Sequence, residues 1–256
     1  GITGTLEIAA VFAGGLPALP IIIAMLMVLA GLGFKISAVP FHFWAPDVYQ
    51  GAPTPITAYL AVASKAAGFL ALLRVFLPQI GDRIFSPPSP LQEITWVAFF
   101  WAASIVTMTL GNLVALRQKR LKRLLAYSSI AHAGYLMMAL TVFDEAAIHG
   151  LLFYLVAYLI MNLGAFVVVL YIENRTATDR IDACRGLVYR APLLATAMAI
   201  LLFSLTGLPP TVGCVGKILI FGAVIREGIA NPDIGYLYYI LALVGAVNTA
   251  ISLFYY

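Results

Sequence analysis

The chain has 256 residues, of which 62% are hydrophobic and only 10% charged, with a formal net charge of +4. Soluble domains carry about 25% charged residues, so a water-soluble globule of this size could not cover its surface, and an all-α polytopic membrane protein is expected instead. Two cysteines, Cys184 and Cys214, are too few for a four-thiolate iron–sulfur cluster or a disulfide framework within the chain.

In chain order, residues 1–19, with Gly14, Gly15 and Pro17, read as a loop. Windows of about 20 mostly apolar residues then predict seven spans, at roughly 20–44, 55–77, 91–115, 122–142, 146–172, 191–228 and 236–256. Breakers stand where these should end, at Ala45-Pro46, Ala52-Pro53-Thr54-Pro55, Ser86-Pro87-Pro88-Ser89-Pro90 and Asn231-Pro232. The chain opens on Gly1 and closes at Tyr255-Tyr256 inside an apolar run, so it is expected to be part of a longer protein. Of the basic residues, Arg117, Lys119, Arg120, Lys122 and Arg123 fall in one connector, and Arg175, Arg180, Arg185 and Arg190 in another. The opposite side holds only Arg83 and Arg226. That bias places 45–54, 116–123 and 173–190 on the cytoplasmic side. The net charge thus follows membrane topology and does not indicate a nucleic-acid partner.

Arg74 lies near a helix end and can snorkel to the interface. Lys35, Lys65 and Lys217 remain, each inside a predicted span. Three lysines at mid-membrane cost roughly 8–10 kcal/mol on insertion scales. The acids Glu7, Asp47, Asp82, Glu93, Asp144, Glu145, Glu173, Asp179, Asp182, Glu227 and Asp233 all fall in loops or at span ends, so none sits at mid-membrane to pair with them. Either the lysines are neutral, or their counter-charge comes from other chain or a partner subunit; both describe a group poised to exchange a proton. The plainer reading is that they snorkel or face a wet cavity without a transport role.

The 38 residues 191–228 would make a continuous helix of about 57 Å, nearly twice the hydrocarbon thickness. In their middle lies Thr206-Gly207-Leu208-Pro209-Pro210-Thr211-Val212-Gly213, which breaks the helix, and Lys217 follows one turn later. The first span carries Gly31, Gly33, Lys35 and then Pro40. A Pro kink alone is ordinary packing, but interrupted spans beside lysines in two places point to a transporter with inverted repeats and a midplane ion path. His132 lies among hydroxyls in Tyr127-Ser128-Ser129-Ile130-Ala131-His132-Ala133-Gly134-Tyr135. It reads equally as a proton relay and as an interhelical hydrogen-bond partner. His42 reads as structural and His149 as interfacial. No histidine pair has metal-ligand spacing, so no metal site is expected. Trp44, Trp96, Trp101 and the Tyr236–Tyr239 group read as interface anchors and lipid-facing bulk. Cys214 reads as a small core residue.

The run from Gly33 to Pro55, containing Lys35, Pro40-Phe41-His42-Phe43-Trp44 and Pro46-Asp47-Val48-Tyr49-Gln50-Gly51-Ala52-Pro53, closely resembles the subunit N family of bacterial NADH–quinone oxidoreductase (respiratory complex I). So do Lys122-Arg123-Leu124-Leu125-Ala126-Tyr127-Ser128-Ser129-Ile130-Ala131-His132, and Gly207-Leu208-Pro209-Pro210 with Gly216-Lys217. Multisubunit cation/proton antiporters share the pattern more loosely, as a competing reading without redox coupling.

The resemblance implies an antiporter-like fold of about fourteen helices built on two inverted repeats, of which this chain is similar to the seventh to thirteenth. Residues 20–77 would then be the last two helices of the first repeat, and 91–256 the second repeat, incomplete at its C-terminal end. It implies Lys35 and Lys217 as the lysines of two discontinuous helices and Lys65 as that of the helix between them, with a partner glutamate on an earlier helix. Lys35 would be the switching site, Lys65 the connecting site and Lys217 the terminal site, with His132 bridging the last two. It also implies no cofactor in this chain. NADH, FMN, iron–sulfur clusters and quinone would sit in partner subunits, and the chain would work among other membrane-arm subunits in the bilayer of the bacterial inner membrane. Cys214 departs from the family, where a bulky aromatic is usual.

Overall fold

The computed structural model describes residues 18–81, 90–142 and 144–256. The expected loop 1–19 lies outside these residues as far as position 17, as do Asp82, Arg83 and the break at 86–89; the side chain of Trp96 is also outside them. Residues 18 and 19 of that expected loop are helical. The elements are α1 (Ala18–Ile36), α2 (Trp44–Gly51), α3 (Thr54–Tyr59), a π-helical segment (Leu60–Ser64) running on into α4 (Lys65–Gly81), α5 (Pro90–Ala115), α6 (Leu121–Ala139) and α7 (Glu145–Thr176). After a 3-10 turn (Ile181–Cys184) come α8 (Leu187–Arg190), α9 (Pro192–Thr206), α10 (Val212–Ala230) and α11 (Gly235–Ser252).

Among the described residues, four helical stretches can cross a membrane by length and composition: Thr54–Phe76, Val97–Ala115, Glu145–Thr176 and Gly235–Ser252. Helix α6 is less apolar for a physical reason. Every residue in it except Arg123 and Tyr127 is buried, so it meets other helices rather than lipid and can carry serines and a histidine. It lies tight against α5: a Cβ at Gly111 would stand 2.6 Å from Ala131 N, and one at Gly134 would stand 2.5 Å from Met108 N. Glycine is the residue that lets two helices come this close in a membrane.

Both expected breaks are present. The first separates α1 from α2, so the stretch expected as a bare connector, 45–54, begins with a helix. Ser37 ends α1 in a left-handed conformation at φ 60°, a costly setting for a residue with a Cβ. The freed backbone groups find side chains: Val39 N donates to Thr107 Oγ1 of α5 (3.1 Å), and Trp44 Nε1 donates to Phe34 O (2.9 Å). Trp44 also stacks on Phe34, with ring centroids 5.2 Å apart. Trp44 therefore braces the break. Trp101 likewise bonds inward, to Leu237 O at 2.8 Å; of the Tyr236–Tyr239 group, Tyr236 and Tyr239 are exposed and Tyr238 is buried in the core.

The second break separates α9 from α10. Gly207 takes φ +91°, and a Cβ there would meet Lys217 Cδ at 2.9 Å, so only glycine turns the chain at this point. Gly213 lets α10 start against α9: its N–H donates to Ser204 Oγ (3.2 Å), and a Cβ would strike the Ser204 carbonyl.

The three connectors expected on one side of the membrane meet. Arg123 pairs with Asp47 (3.3 Å) and Arg120 with Asp179 (3.1 Å). Leu121 N bonds Asp179 O, and Ile181 N bonds Lys119 O. Lys122, expected as one of the topology-setting charges of a connector, is buried. It donates to Glu173 Oε1 at 2.9 Å and to Ala52 O at 3.3 Å, while Thr54 Oγ1 donates to the other oxygen of Glu173. One half-buried ion pair thus ties the end of α2, α3, α6 and α7 together.

Candidate functional site

Along α6, Ser129, His132 and Tyr135 follow at three-residue spacing and climb one side of the helix. This polar line is the spine of the site. Lys65 meets it at Ser129 and Lys217 at Tyr135, and both are buried, at 1% and 4% exposure, with His132 at 1%.

Lys65 opens α4 directly after the π segment. A π segment widens one helical turn, and such bulges gather at functional sites. Its Nζ donates to both Ser129 O and Ser129 Oγ at 2.5 Å. The Tyr49 hydroxyl lies 3.5 Å from the same Oγ, so the second half of the first broken helix touches the Lys65 site. His132 Nδ1 is 2.7 Å from the Tyr154 hydroxyl and Nε2 is 3.2 Å from the Tyr256 hydroxyl, which also bonds Ser128. Both lysines lie within electrostatic reach of the ring.

Lys217 Nζ donates to the Thr206 carbonyl at 2.7 Å, a group released by the end of α9 at the second break. It reaches Thr249 Oγ1 at 3.4 Å and stands 4.3 Å over the Tyr135 ring, a cation–π position. The Tyr135 hydroxyl in turn accepts from Thr249 Oγ1 (3.4 Å) and from Asn112 Nδ2 (3.3 Å). Asn112 Nδ2 also donates to Asn248 Oδ1 at 3.0 Å. Beside Lys217, Gly216 gives Tyr154 its room: a Cβ there would fall 2.3 Å from Tyr154 Cδ2.

The structure therefore brings together Lys65, His132 and Lys217. It does not bring Lys35 to them by any direct contact. Lys35 sits in the last turn of α1 and is exposed. Its stem runs past α4 one turn beyond Lys65, where a Cβ at Gly68 would lie 3.5 Å from Lys35 Cγ. Among the described residues, no carboxylate lies within the 4.0 Å ion-pair distance of any of the three lysines. What is buried beside Lys65 and Lys217 is neutral: carbonyls, hydroxyls, an amide pair and aromatic faces. Such groups can hold an ammonium ion and can equally accept its neutral amine. Among the described residues no group of three or more His, Cys, Asp or Glu could hold a metal ion. His42 is buried in the first break against Phe43, and His149 is exposed.

Tyr154 and Tyr158 were not legible as site residues. Their signal is the spacing Tyr154, Tyr158, Asn162, four residues apart on one face of an otherwise apolar helix. Tyr158 packs against the His132 ring in a tilted arrangement, with centroids 5.1 Å apart, and its hydroxyl and the Asn162 amide are buried.

A family model described as NADH:quinone oxidoreductase/Mrp antiporter, transmembrane, matches residues 1–245. NADH-quinone oxidoreductase subunit N of Chlorobium chlorochromatii is 49% identical over 236 residues, covering 91% of this chain and 44% of that protein. The chain thus spans about half the length of the curated relatives it matches. A subunit in the structure of respiratory complex I from Thermus thermophilus with bound aureothin superposes with a TM-score of 0.70 at 37% identity, covering 97% of this chain and 55% of that one. One in the Mrp complex from Dietzia sp. superposes with a TM-score of 0.78 at 22% identity, covering 98% and 45%; that likeness is one of fold alone.

Proposed function

The chain belongs to the NADH:quinone oxidoreductase/Mrp antiporter transmembrane family, and on that premise we propose that it is the proton-translocating part of a subunit-N-type membrane component of NADH–quinone oxidoreductase. It takes part in the enzyme as a membrane subunit and carries no redox chemistry itself. Electrons pass through NADH, FMN, iron–sulfur clusters and quinone held by partner subunits, and this chain moves protons in response.

The observation that carries this reading is the buried line Lys65–Ser129–His132–Tyr135–Lys217 without a carboxylate. A buried amine suits proton transfer because desolvation penalises its charged form while an approaching carboxylate favours it. Lys65 is the connecting site, held against Ser129. His132, with Tyr154, bridges towards Lys217, the terminal site at the second break. Lys35 is the switching site. Its outward face supports a counter-charge from chain preceding residue 1 or from a neighbouring subunit. Residues 20–77 and 91–256 belong to two inverted repeats, a reading supported by one broken helix in each.

The test is purification of the full-length protein with its native membrane partners. Reducible flavin and iron–sulfur absorbance together with quinone-driven proton pumping is expected, and pumping should fall in Lys35→Ala. An assembly free of flavin that exchanges cations for protons would replace this reading with the antiporter one.

A further inference from the structure

At the connector side, α7 runs on past its apolar stretch and the chain turns through residues 177–191 into α9. A cavity of about 350 Å³ opens there, lined by Arg175, Arg185, Arg190, Tyr171 and Thr176, within the size range of small-molecule sites. Arg175 is held at its wall, with its guanidinium 5.7 Å from the Tyr171 ring centroid.

The charge balance of the cavity is one-sided. Of the connector's acids, Glu173 is engaged by Lys122 and Asp179 by Arg120, while Asp182 pairs with Arg180 at 3.2 Å and more loosely, at 3.5 Å, with Arg185 of the cavity itself. Among the described residues, no carboxylate lies within 4.0 Å of Arg175 or Arg190. Beside the arginines, Val188, Tyr189 and Leu193 are exposed, Tyr189 at 93% and Leu193 at 83%. Leu187 and Arg190 line the cavity, and Val188, Tyr189 and Leu193 follow within three residues of one or the other in the chain, so planar, bidentate anion donors and bare apolar and aromatic side chains share the short stretch that leads into α9. No soluble anion needs the apolar half, and no acyl chain needs the basic half. A phospholipid with a net negative headgroup uses both.

We propose that this cavity is a binding site for an anionic phospholipid, its phosphate held by Arg175, Arg185 and Arg190 and its acyl chain laid along Val188 and Leu193. Basic pockets between spanning helices on the side that carries the excess of Lys and Arg are where such headgroups bind. The proposal rests on membrane insertion and not on the proton-transfer role.

The test uses the intact membrane assembly in nanodiscs of phosphatidylcholine carrying a small share of photoactivatable phosphatidylglycerol. After irradiation, peptide mapping should place lipid adducts on residues 171–193. In Arg175→Gln/Arg190→Gln these adducts should fall about tenfold or more, while adducts on the outward face of α11 stay constant and report normal insertion. Excess glycerol phosphate should not displace the lipid. Equal adducts in variant and wild type, equal adducts from photoactivatable phosphatidylcholine, displacement by glycerol phosphate, or a partner subunit's segment cross-linked in place of lipid would each overturn the proposal. None of these outcomes touches the pumping reading, which is measured separately.

Discussion

Gly216→Ala tests how closely the bridge between the two buried lysines is packed. The added methyl would stand 2.3 Å from Tyr154 Cδ2, 3.1 Å from Cγ and 3.2 Å from Cβ. Because the contact reaches the base of the side chain, the ring cannot swing clear, and Tyr154 must retreat by about 1 Å to reach an ordinary separation. Its hydroxyl, now 2.7 Å from His132 Nδ1, would pass beyond about 3.5 Å, where no hydrogen bond remains. A buried nitrogen left without its partner costs about 1–3 kcal/mol, which corresponds to about 5- to 150-fold in an equilibrium or rate. Tyr154→Phe removes the same bond without adding bulk, so it separates the bridge from simple overpacking. The assay is quinone-driven proton uptake by the assembled complex in proteoliposomes, normalised to the amount of complex. Both variants should lose pumping within that range, and Tyr154→Phe should assemble normally. Wild-type pumping by a fully assembled Tyr154→Phe complex would refute the bridge.

Further outcomes follow from the packing. Lys122→Met should lower the thermal stability of the purified complex by about 1–3 kcal/mol, since it strands a partly solvated Glu173, and Lys122→Arg should recover part of the loss. Gly134→Val should prevent assembly, measured as subunit incorporation, because its Cβ would meet backbone rather than a movable side chain. Trp44→Phe, which keeps the stacking on Phe34 but releases the Phe34 carbonyl, should cost about 1 kcal/mol in the same melting assay. Single cysteines replacing Arg117 and Arg180 should be labelled by a membrane-impermeant thiol reagent from the same side and not from the other.

The sequence made the breaks legible because Gly and Pro are the residues that break helices: Gly207, Pro209 and Pro210 mark the second, and Pro40 lies within the first. It made Lys65 and Lys217 legible because charge is so scarce in the chain that unpaired cations stand out. The π segment was invisible, since Leu60-Ala61-Val62-Ala63-Ser64 holds no breaker. Lys122 was read with its neighbours as a topology-setting charge, because one-dimensional order cannot show that Glu173, 51 residues on, returns to pair with it. Trp44 and Trp101 were read as interface anchors for the same reason: the carbonyls they bond lie across a break or on another helix. The polarity of α6 makes sense only once the helix is seen to be enclosed.

The central claim is that Lys65 and Lys217 carry the transferred proton. The measurement that tests it most directly is the number of protons taken up per quinone reduced by Lys65→Ala and Lys217→Ala complexes in sealed proteoliposomes. The account predicts that assembly is retained and that proton uptake falls about tenfold or more in each, as for loss of a proton-transfer group. Assembled variants that pump at the wild-type ratio and rate would contradict it.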